Sequence, residues 1–382
     1  MRLRLTLTVT LVAAVGALAA PGGARAASVA TSATPVPVQA VTAYVVSLGG
    51  NYVTPVDTAT GKAGNAIPVG NGPDDVAITP NGSTAYVTNS GSDTVSAIAT
   101  ATNKVRKTII VGKGPDFVAI TPNGATAYVA SRNNTVTPIN TATNAAGKPI
   151  KVSGGPQYIA VTPDGKTAYV ANTTAGTVIP ITVATYKPGK AIKAGKGPVF
   201  IAITHNGKTA YVTDVYSRDV TPIAVATNTA GEPIRVGLGP SAIAITPDGT
   251  TAYVACSGGD LPGRGSVYPI ATASNKPGKA INLSGFPSSL AITPGGKTVY
   301  VNNEVGIIRI TVATNKAGRS IPAGPTPLGV IVITPDGKTA YVANFGFYSA
   351  PGTTVTPVDL ATKTAGKPIT VGPLPIAIAL TP

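Results

Sequence analysis

Short runs of alternating apolar and polar residues recur along most of the chain, separated by Gly-rich turns. In "VAITPNGSTAYVTN" (Val76–Asn89), the runs "VAIT" and "TAYVT" flank the pair Asn81-Gly82. Such alternation around Asn-Gly or Asp-Gly predicts a β-hairpin, because these residues tolerate the positive φ angles of tight turns. The strand-like runs "TVSAIA" and "KTIIVG" follow. The pattern therefore predicts units of four strands, named a, b, c and d.

The strand-b motif recurs eight times, with its tyrosines 41 or 42 residues apart except for one interval of 47. These motif tyrosines are Tyr44, Tyr86, Tyr128, Tyr169, Tyr211, Tyr253, Tyr300 and Tyr341. A four-stranded unit of this length is typical of a β-propeller blade. We predict an all-β propeller of four-stranded antiparallel blades, eight in number, with seven as the alternative.

The two ends of the repeated region predict how the ring closes. The first unit lacks strand a, whereas the last residues, "IAIALTP" from Ile376, form a strand a with nothing after it. We expect this C-terminal strand a to pair with the N-terminal strands b to d. That pairing removes the free sheet edges that promote aggregation.

The stretches "PDGKTAYVAN" (Pro163–Asn172) and "YVTN" (Tyr86–Asn89) resemble the YVTN-repeat β-propellers. These are secreted, periplasmic and cell-surface proteins, including archaeal surface-layer proteins. The resemblance covers residues 43–382 and implies the fold and a location outside the cytoplasm. It implies little about function, since the motif residues are structural. Members usually have seven blades, and the eight copies here depart from that pattern.

The N-terminus has the features of an export signal. A basic start, "MRLR", precedes an apolar run and the small-residue site "ARA" at 24–26. We predict a signal peptide over 1–26, with a retained anchor as the alternative, then a linker over 27–42 and one propeller domain over 43–382. We expect a monomer, secreted or held at the cell surface, with no integral membrane span in the mature chain.

Charge is sparse and unevenly placed. Charged residues make up 11% of the chain, against roughly 25% in typical soluble domains. The a–b and c–d turns share one end of every blade, here named the turn face, and carry many lysines, such as Lys166, Lys208 and Lys297. The opposite end, the loop face, carries more acids than bases. The turn face is a candidate surface for DNA or an anionic wall polymer. The alternative is that its lysines only aid solubility.

The residue inventory disfavours several enzyme classes. The single histidine, His205, falls in an a–b turn, which argues against a His-based metal site or a Ser-His-Asp triad. The single cysteine, Cys256, occupies a slot that other units fill with Asn or Ser. Lactonases and streptogramin lyases resemble this fold, but their chemistry relies on His and acids around the axis. We therefore favour a non-enzymatic protein, with a small-molecule hydrolase or lyase at the axial pocket as the alternative.

The loops of the loop face vary from unit to unit, and irregular loops on a rigid scaffold commonly carry function. The candidate ligand-binding residues there are Asp74, Asp75, Asp116, Tyr158, Asp214, Tyr216, Arg218, Glu304, Phe347 and Tyr348. No catalytic residue and no cofactor is assigned, although Asp74, Asp75 and Asp116 with loop carbonyls form an alternative calcium site. The sequence thus predicts an interaction scaffold at or outside the cell envelope, with a protein or an envelope polymer as its partner.

Overall fold

The structure, a computed structural model, describes residues 41–258, 265–324, 327–347 and 349–382, with only the backbone of Phe347. The predicted signal peptide and nearly all of the predicted linker lie outside these residues. The described residues form eight antiparallel sheets. Strand a of each sheet contacts strand a of the next, around a closed ring. The protein is therefore an eight-bladed β-propeller, and the alternative of seven blades is wrong.

Each blade runs from strand a at the axis to strand d at the rim. In blade order, strands a are Pro375–Leu380, Pro73–Ile78, Pro115–Ile120, Pro156–Val161, Pro198–Ile203, Pro240–Ile245, Ser289–Ile292 and Ile331–Ile333. Strands b are Thr42–Ser47, Thr84–Asn89, Thr126–Ser131, Thr167–Asn172, Thr209–Asp214, Thr251–Cys256, Thr298–Asn303 and Thr339–Phe347. Strands c are Tyr52–Asp57, Thr94–Ala99, Thr135–Asn140, Thr177–Thr182, Asp219–Ala224, Gly265–Ala271, Gly306–Thr311 and Ala350–Asp359.

The outer strands d are continuous only in blade 2 (Lys104–Ile110) and blade 7 (Lys316–Ile321). The other six blades split strand d into two short pieces. These are Lys62–Ala63 and Ile67–Pro68, Ala145–Ala146 and Ile150–Lys151, Lys187–Pro188 and Ile192–Lys193, Thr229–Ala230 and Ile234–Arg235, Lys276–Pro277 and Ile281–Leu283, and Thr364–Ala365 and Ile369–Thr370. Each of the six split strands contains both Gly and Pro, the residues that weaken or interrupt a ladder at an edge strand, whereas the blade 2 strand has neither and the blade 7 strand has only Gly318.

The C-terminal strand closes the ring as predicted. Val45 pairs with Ile378 in the antiparallel ladder between strands a and b of blade 1. Beyond the ladder, the Thr381 amide donates to the Thr42 carbonyl at 3.0 Å. The two ends of the propeller thus share one sheet. Among the residues that the structure describes, no helix is long and apolar enough to cross a membrane.

The motif tyrosines are buried, and their hydroxyl groups reach neighbouring blades. The Tyr86 hydroxyl donates to Asn144 Oδ1 at 2.6 Å, and the Tyr211 hydroxyl donates to Asn275 Oδ1 at 2.5 Å. Each acceptor lies in the c–d turn of the following blade, with a φ near 54°. Asn adopts this left-handed conformation more readily than most residues. Each of these tyrosines therefore ties strand b of its own blade to a turn of the next.

The predicted a–b hairpins are present, but only the glycine takes a positive φ. In blade 2, Gly82 has a φ of 71°, whereas Asn81 is not among the positive-φ residues. The Gly82 amide donates to the Thr79 carbonyl at 2.7 Å, and Thr79 Oγ1 donates to Asn81 Oδ1, also at 2.7 Å. This is a type I turn followed by a left-handed Gly. His205 occupies an exposed position in the corresponding turn of blade 5.

Candidate functional site

A bulge near the start of strand a brings acidic side chains together on the loop face. In blade 3 the register shifts so that Asp116 has no partner in the ladder, and the same irregularity spans Asp74 in blade 2. Arg132, from the b–c loop of blade 3, contacts both carboxylates. Its Nη2 lies 2.5 Å from Asp116 Oδ1 and 3.6 Å from Asp74 Oδ2. Three of the predicted residues, Asp74, Asp75 and Asp116, therefore lie close together in blades 2 and 3.

Burial makes these acids easier to protonate. Burial, together with the charge of Asp116, raises the pKa of Asp74 to about 7, although Arg132 opposes the rise. Burial also raises the pKa of Asp75 to about 7. Its Oδ2 accepts a hydrogen bond from the Val118 amide at 3.0 Å, whereas its buried Oδ1 has no hydrogen-bond partner among the residues that the structure describes. The pKa of Asp116 is likewise raised by burial.

Metal binding at this cluster would compete with Arg132 for the carboxylates. Within the described ranges, no group of three or more His, Cys, Asp or Glu side chains is arranged to hold a metal ion. The guanidinium of Arg132 already contacts Asp74 and Asp116. Asp75 meanwhile points an oxygen at the backbone of blade 3. The geometry gives the alternative calcium site no support.

Tyr158 belongs to a row of three aromatic rings that contact one another at tilted angles in the innermost strands. The Tyr158 ring centroid lies 4.2 Å from that of Phe117 and 4.8 Å from that of Phe200. All three occupy equivalent positions in strands a of blades 3, 4 and 5 and are buried. Burial, with the charge of Asp75, raises the pKa of the Tyr158 hydroxyl. Tyr158 thus packs in the core beneath the acidic cluster.

The remaining candidates are scattered. Asp214 is fully buried, accepts a hydrogen bond from Thr221 at 2.6 Å, and has its pKa raised to about 7 by burial. Tyr216 and Arg218 lie exposed in the b–c loop of blade 5, and Glu304 accepts a hydrogen bond from the Phe286 amide in blade 7. The Phe347 side chain and all of Tyr348 lie outside the described residues. Asp214, Tyr216, Arg218 and Glu304 therefore do not join the acidic cluster.

A groove on the loop face links two of the predicted residues. It has a volume of about 1210 Å³, crosses the top of blade 4 and runs from Asp116 and Arg132 to Tyr216. Its lining includes residues that the sequence prediction missed, namely Arg132, Gln157, Thr173, Thr174, Lys193, Lys196 and Ser217. The sequence features that could have indicated these residues are the variable b–c loops and the corner "GKGP" that carries Lys196. We call this depression the blade-4 groove.

The accessible charge of the blade-4 groove is positive. Its cations are open to solvent, with the Arg132 side chain 62% exposed and Lys193 and Lys196 exposed. Asp116 is the one acid among the described groove residues, and its side chain is only 6% exposed and is paired with Arg132. The predicted excess of acid on the loop face is an excess of formal charge, and it does not describe the surface a ligand meets at this groove.

The blade-4 groove has ordered walls. In blade 5, the Tyr216 amide donates to the Lys196 carbonyl, and the Lys196 amide donates to Ser217 Oγ, both at 2.9 Å. In blade 4, the Thr174 amide donates to the Gly154 carbonyl at 2.9 Å. Each b–c loop is thereby tied to the Gly-rich corner that precedes strand a. The loop and corner residues that line the groove are held in place before any ligand arrives.

Comparison with known proteins identifies only the fold. No protein-family model and no curated protein sequence matches the chain. The chain is similar to hydrazine synthase from Kuenenia stuttgartiensis, at 25% identity and a TM-score of 0.61, over 76% of this chain and 96% of that one. It is also similar to the dihydro-heme d1 dehydrogenase NirN in complex with DHE, at 14% identity and a TM-score of 0.72, over 88% of this chain and 74% of that one. A functionally unknown protein from Desulfotomaculum acetoxidans DSM 771 matches at 18% identity and a TM-score of 0.60, over 73% of this chain and 94% of that one.

Proposed function

We propose that the protein is an exported interaction scaffold that binds its partner in the blade-4 groove of the loop face. The observation that carries this proposal is the groove itself, where exposed Tyr216, Arg132 and Lys196 surround a depression of about 1210 Å³. Concave sites with a few oriented polar groups are the usual form of ligand pockets. The resemblance to YVTN-repeat propellers and the signal-like residues 1–26 support a place outside the cytoplasm.

The rigidity of the propeller suits it to binding. Backbone hydrogen bonds tie the groove loops to blades that are closed into one ring. A preformed site loses less conformational entropy on binding than a flexible one does.

The single histidine, His205, lies in an a–b turn, at the opposite end of its blade. A reaction in the groove that needs a histidine base therefore has no such base among the described residues.

Co-sedimentation with a purified cell-envelope fraction tests the proposed function. We expect the protein to pellet with the fraction and the Tyr216→Ala/Lys196→Ala variant to stay largely in solution. The control, Lys187→Ala/Lys208→Ala, removes one charge more, from the turn ends of blades 4 and 5, and we expect it to pellet normally. Absence of binding, or equal loss in both variants, would contradict a loop-face partner.

A second candidate function is catalysis by the acidic cluster. It is favoured by the pKa of Asp74, which burial raises to about 7, because a general acid or base works best when its pKa is near the working pH. The names of two of the similar solved structures also denote enzymes. A screen with lactone substrates tests this candidate. Turnover that Asp74→Asn abolishes would support it, and turnover unchanged by that substitution would exclude it.

A further inference from the structure

The lining of the blade-4 groove combines three kinds of group. Its cations are Arg132, from the b–c loop of blade 3, and Lys193 and Lys196, from strand d of blade 4 and the corner that follows it. Its hydrogen-bonding groups are the hydroxyl and amide side chains of Thr173, Thr174, Gln157 and Ser217. At one wall stands the ring of Tyr216, which is 64% exposed. Few classes of ligand would use cations, hydrogen-bonding side chains and an aromatic ring together.

Tyr216 is exposed because the backbone beneath it holds it there. Its ring edge lies where a Cβ of Gly197 would be, and Gly197 has a φ of 70°, a conformation that suits Gly. The Tyr216 amide and the Val215 amide both donate to the neighbouring corner, to Lys196 and Gly197, at 2.9 Å. A large aromatic ring that is fixed by its backbone and open to solvent is a stacking surface.

From these features we infer that the blade-4 groove binds an acidic glycan, a sugar chain that carries carboxylate groups. The carboxylates pair with Arg132 and the two lysines, the sugar hydroxyls bond to the threonines and Gln157, and one sugar ring stacks on Tyr216. This inference rests on the proposed function and names the ligand class for the same groove. A nucleic acid would also bring negative charge, but successive bases need successive aromatic platforms. Tyr216 is the one exposed ring among the described groove residues.

Titration calorimetry with defined oligosaccharides tests the inference. We expect oligogalacturonate to bind and uncharged maltodextrin of equal length to bind at least about tenfold more weakly. We expect Lys193→Gln/Lys196→Gln and Tyr216→Ala each to weaken oligogalacturonate binding by about tenfold or more. The control, Lys187→Gln/Lys208→Gln, removes the same charge from the turn ends of blades 4 and 5 and should bind as the unaltered protein does. All of these side chains are exposed, and melting curves verify that each variant is folded.

Three results would overturn the inference. The first is equal binding of maltodextrin and oligogalacturonate, which would remove the role of the cations. The second is equal loss in the groove and control variants. The third is tighter binding of a single-stranded oligonucleotide than of oligogalacturonate, with the same dependence on Lys193 and Lys196. If oligogalacturonate does not bind while the envelope fraction still binds through Tyr216 and Lys196, the ligand class is wrong and the proposed function stands.

Discussion

Single hydroxyl groups decide how tightly neighbouring blades are joined. Tyr86 and Tyr128 occupy equivalent positions, and both rings are fully buried. The Tyr86 hydroxyl donates to Asn144 at 2.6 Å, but the Tyr128 hydroxyl has no hydrogen-bond partner within the described ranges. In blade 4 the position equivalent to the acceptor Asn144 is occupied by Tyr186. Its ring meets that of Tyr128 edge-on, with centroids 6.2 Å apart. Tyr128 is therefore a natural comparison for Tyr86, because it is an equivalent buried tyrosine without the hydrogen bond to Asn.

We expect Tyr86→Phe to lower the free energy of unfolding by about 1–2 kcal/mol, because it removes a made hydrogen bond. Tyr128→Phe should leave it unchanged or raise it slightly, since that substitution removes an unsatisfied buried hydroxyl. Urea unfolding of the two variants measures the difference. The two substitutions delete the same atom, so equal destabilisation would show that Tyr128 has a partner in solution.

The buried acids predict an unusual pH dependence of stability. The pKa values of Asp74 and Asp75 are raised to about 7 from an unfolded value near 3.8, chiefly by burial. Between about pH 4 and pH 7 the folded state therefore binds more protons than the unfolded state. Since stability then decreases as protons leave, the free energy of unfolding should fall as pH rises through this window and level off above it.

Unfolding in urea between pH 5 and pH 8 measures this slope. We expect Asp75→Asn to flatten it and to raise stability above pH 7, because the amide keeps an acceptor for Val118 and carries no charge. Asp164→Asn is the control. Hydrogen bonds from Thr162 and the Lys166 amide lower the pKa of this exposed acid, so it is ionised in both states across the window. A slope that Asp164→Asn changes as much as Asp75→Asn would refute the assignment.

At the scale of elements, the strands and hairpins follow from periodic patterning, whereas their irregularities do not. Alternation, Gly-containing turns and the orphan strand from Ile376 predict blade number, strand order and closure. The bulge that places Asp74 and Asp116 beside Arg132 has no such signature, because the bulged residue is Asp in these two blades but Gln, Val or Ser in blades 4 to 6. Residue identity also cannot show that Asp214 is fully buried. The sequence therefore showed that the acidic residues lie at variable positions, but it did not show that they are buried.

The blade-4 groove could not be predicted from the sequence, because it depends on how three blades pack together. Tyr216 stood out because it departs from the repeat, and so did Asp116. Lys193 and Lys196 come from strand d and the following corner, which bring them to one wall only once blade 4 is folded. A site shared by three blades needs the twist and packing of the sheets, and the one-dimensional pattern does not contain them.

The c–d turn of blade 4 offers a test of the repeat rule. Tyr186 there has a φ of 57°, a left-handed conformation that costs most residues roughly 1 kcal/mol or more. Other blades place Asn at this position, as Asn144 and Asn228 show. We expect Tyr186→Asn to raise the free energy of unfolding by about 1–2 kcal/mol, by relieving the backbone and giving the Tyr128 hydroxyl an acceptor.

Urea unfolding of Tyr186→Asn, alone and combined with Tyr128→Phe, separates the two contributions. If the new hydrogen bond forms, the gain from Tyr186→Asn should be larger in the unaltered protein than in the Tyr128→Phe background, which lacks the hydroxyl. The backbone part of the gain should persist in both. No gain in either background would mean that the edge-on contact between the two tyrosine rings stabilises the turn as well as Asn would.

For the whole molecule, the structure separates two cationic surfaces. The lysines of the turn face are exposed and spread over all blades, and some pair with a turn acid, as Lys166 does with Asp164 at 3.6 Å. The blade-4 groove instead concentrates its cations beside hydroxyl groups and one aromatic ring. Dispersed, exposed charges bind anions weakly and are screened by salt. The two surfaces should therefore differ in the kind of binding that they support.

Retention on a sulfonate cation-exchange resin tests this separation. We expect Lys62→Glu/Lys208→Glu/Lys297→Glu, spread over three blades of the turn face, to elute at clearly lower salt than the unaltered protein, because it loses six units of charge on one face. The same variant should keep its affinity for oligogalacturonate at physiological ionic strength, where a Debye length of about 8 Å isolates the groove from the turn face. The groove variant Lys193→Gln/Lys196→Gln should show the reverse, a small change in retention and a large loss of oligogalacturonate binding. If the turn-face variant instead loses both, then one continuous electrostatic field governs all anion binding by this propeller, and the groove has no chemistry of its own.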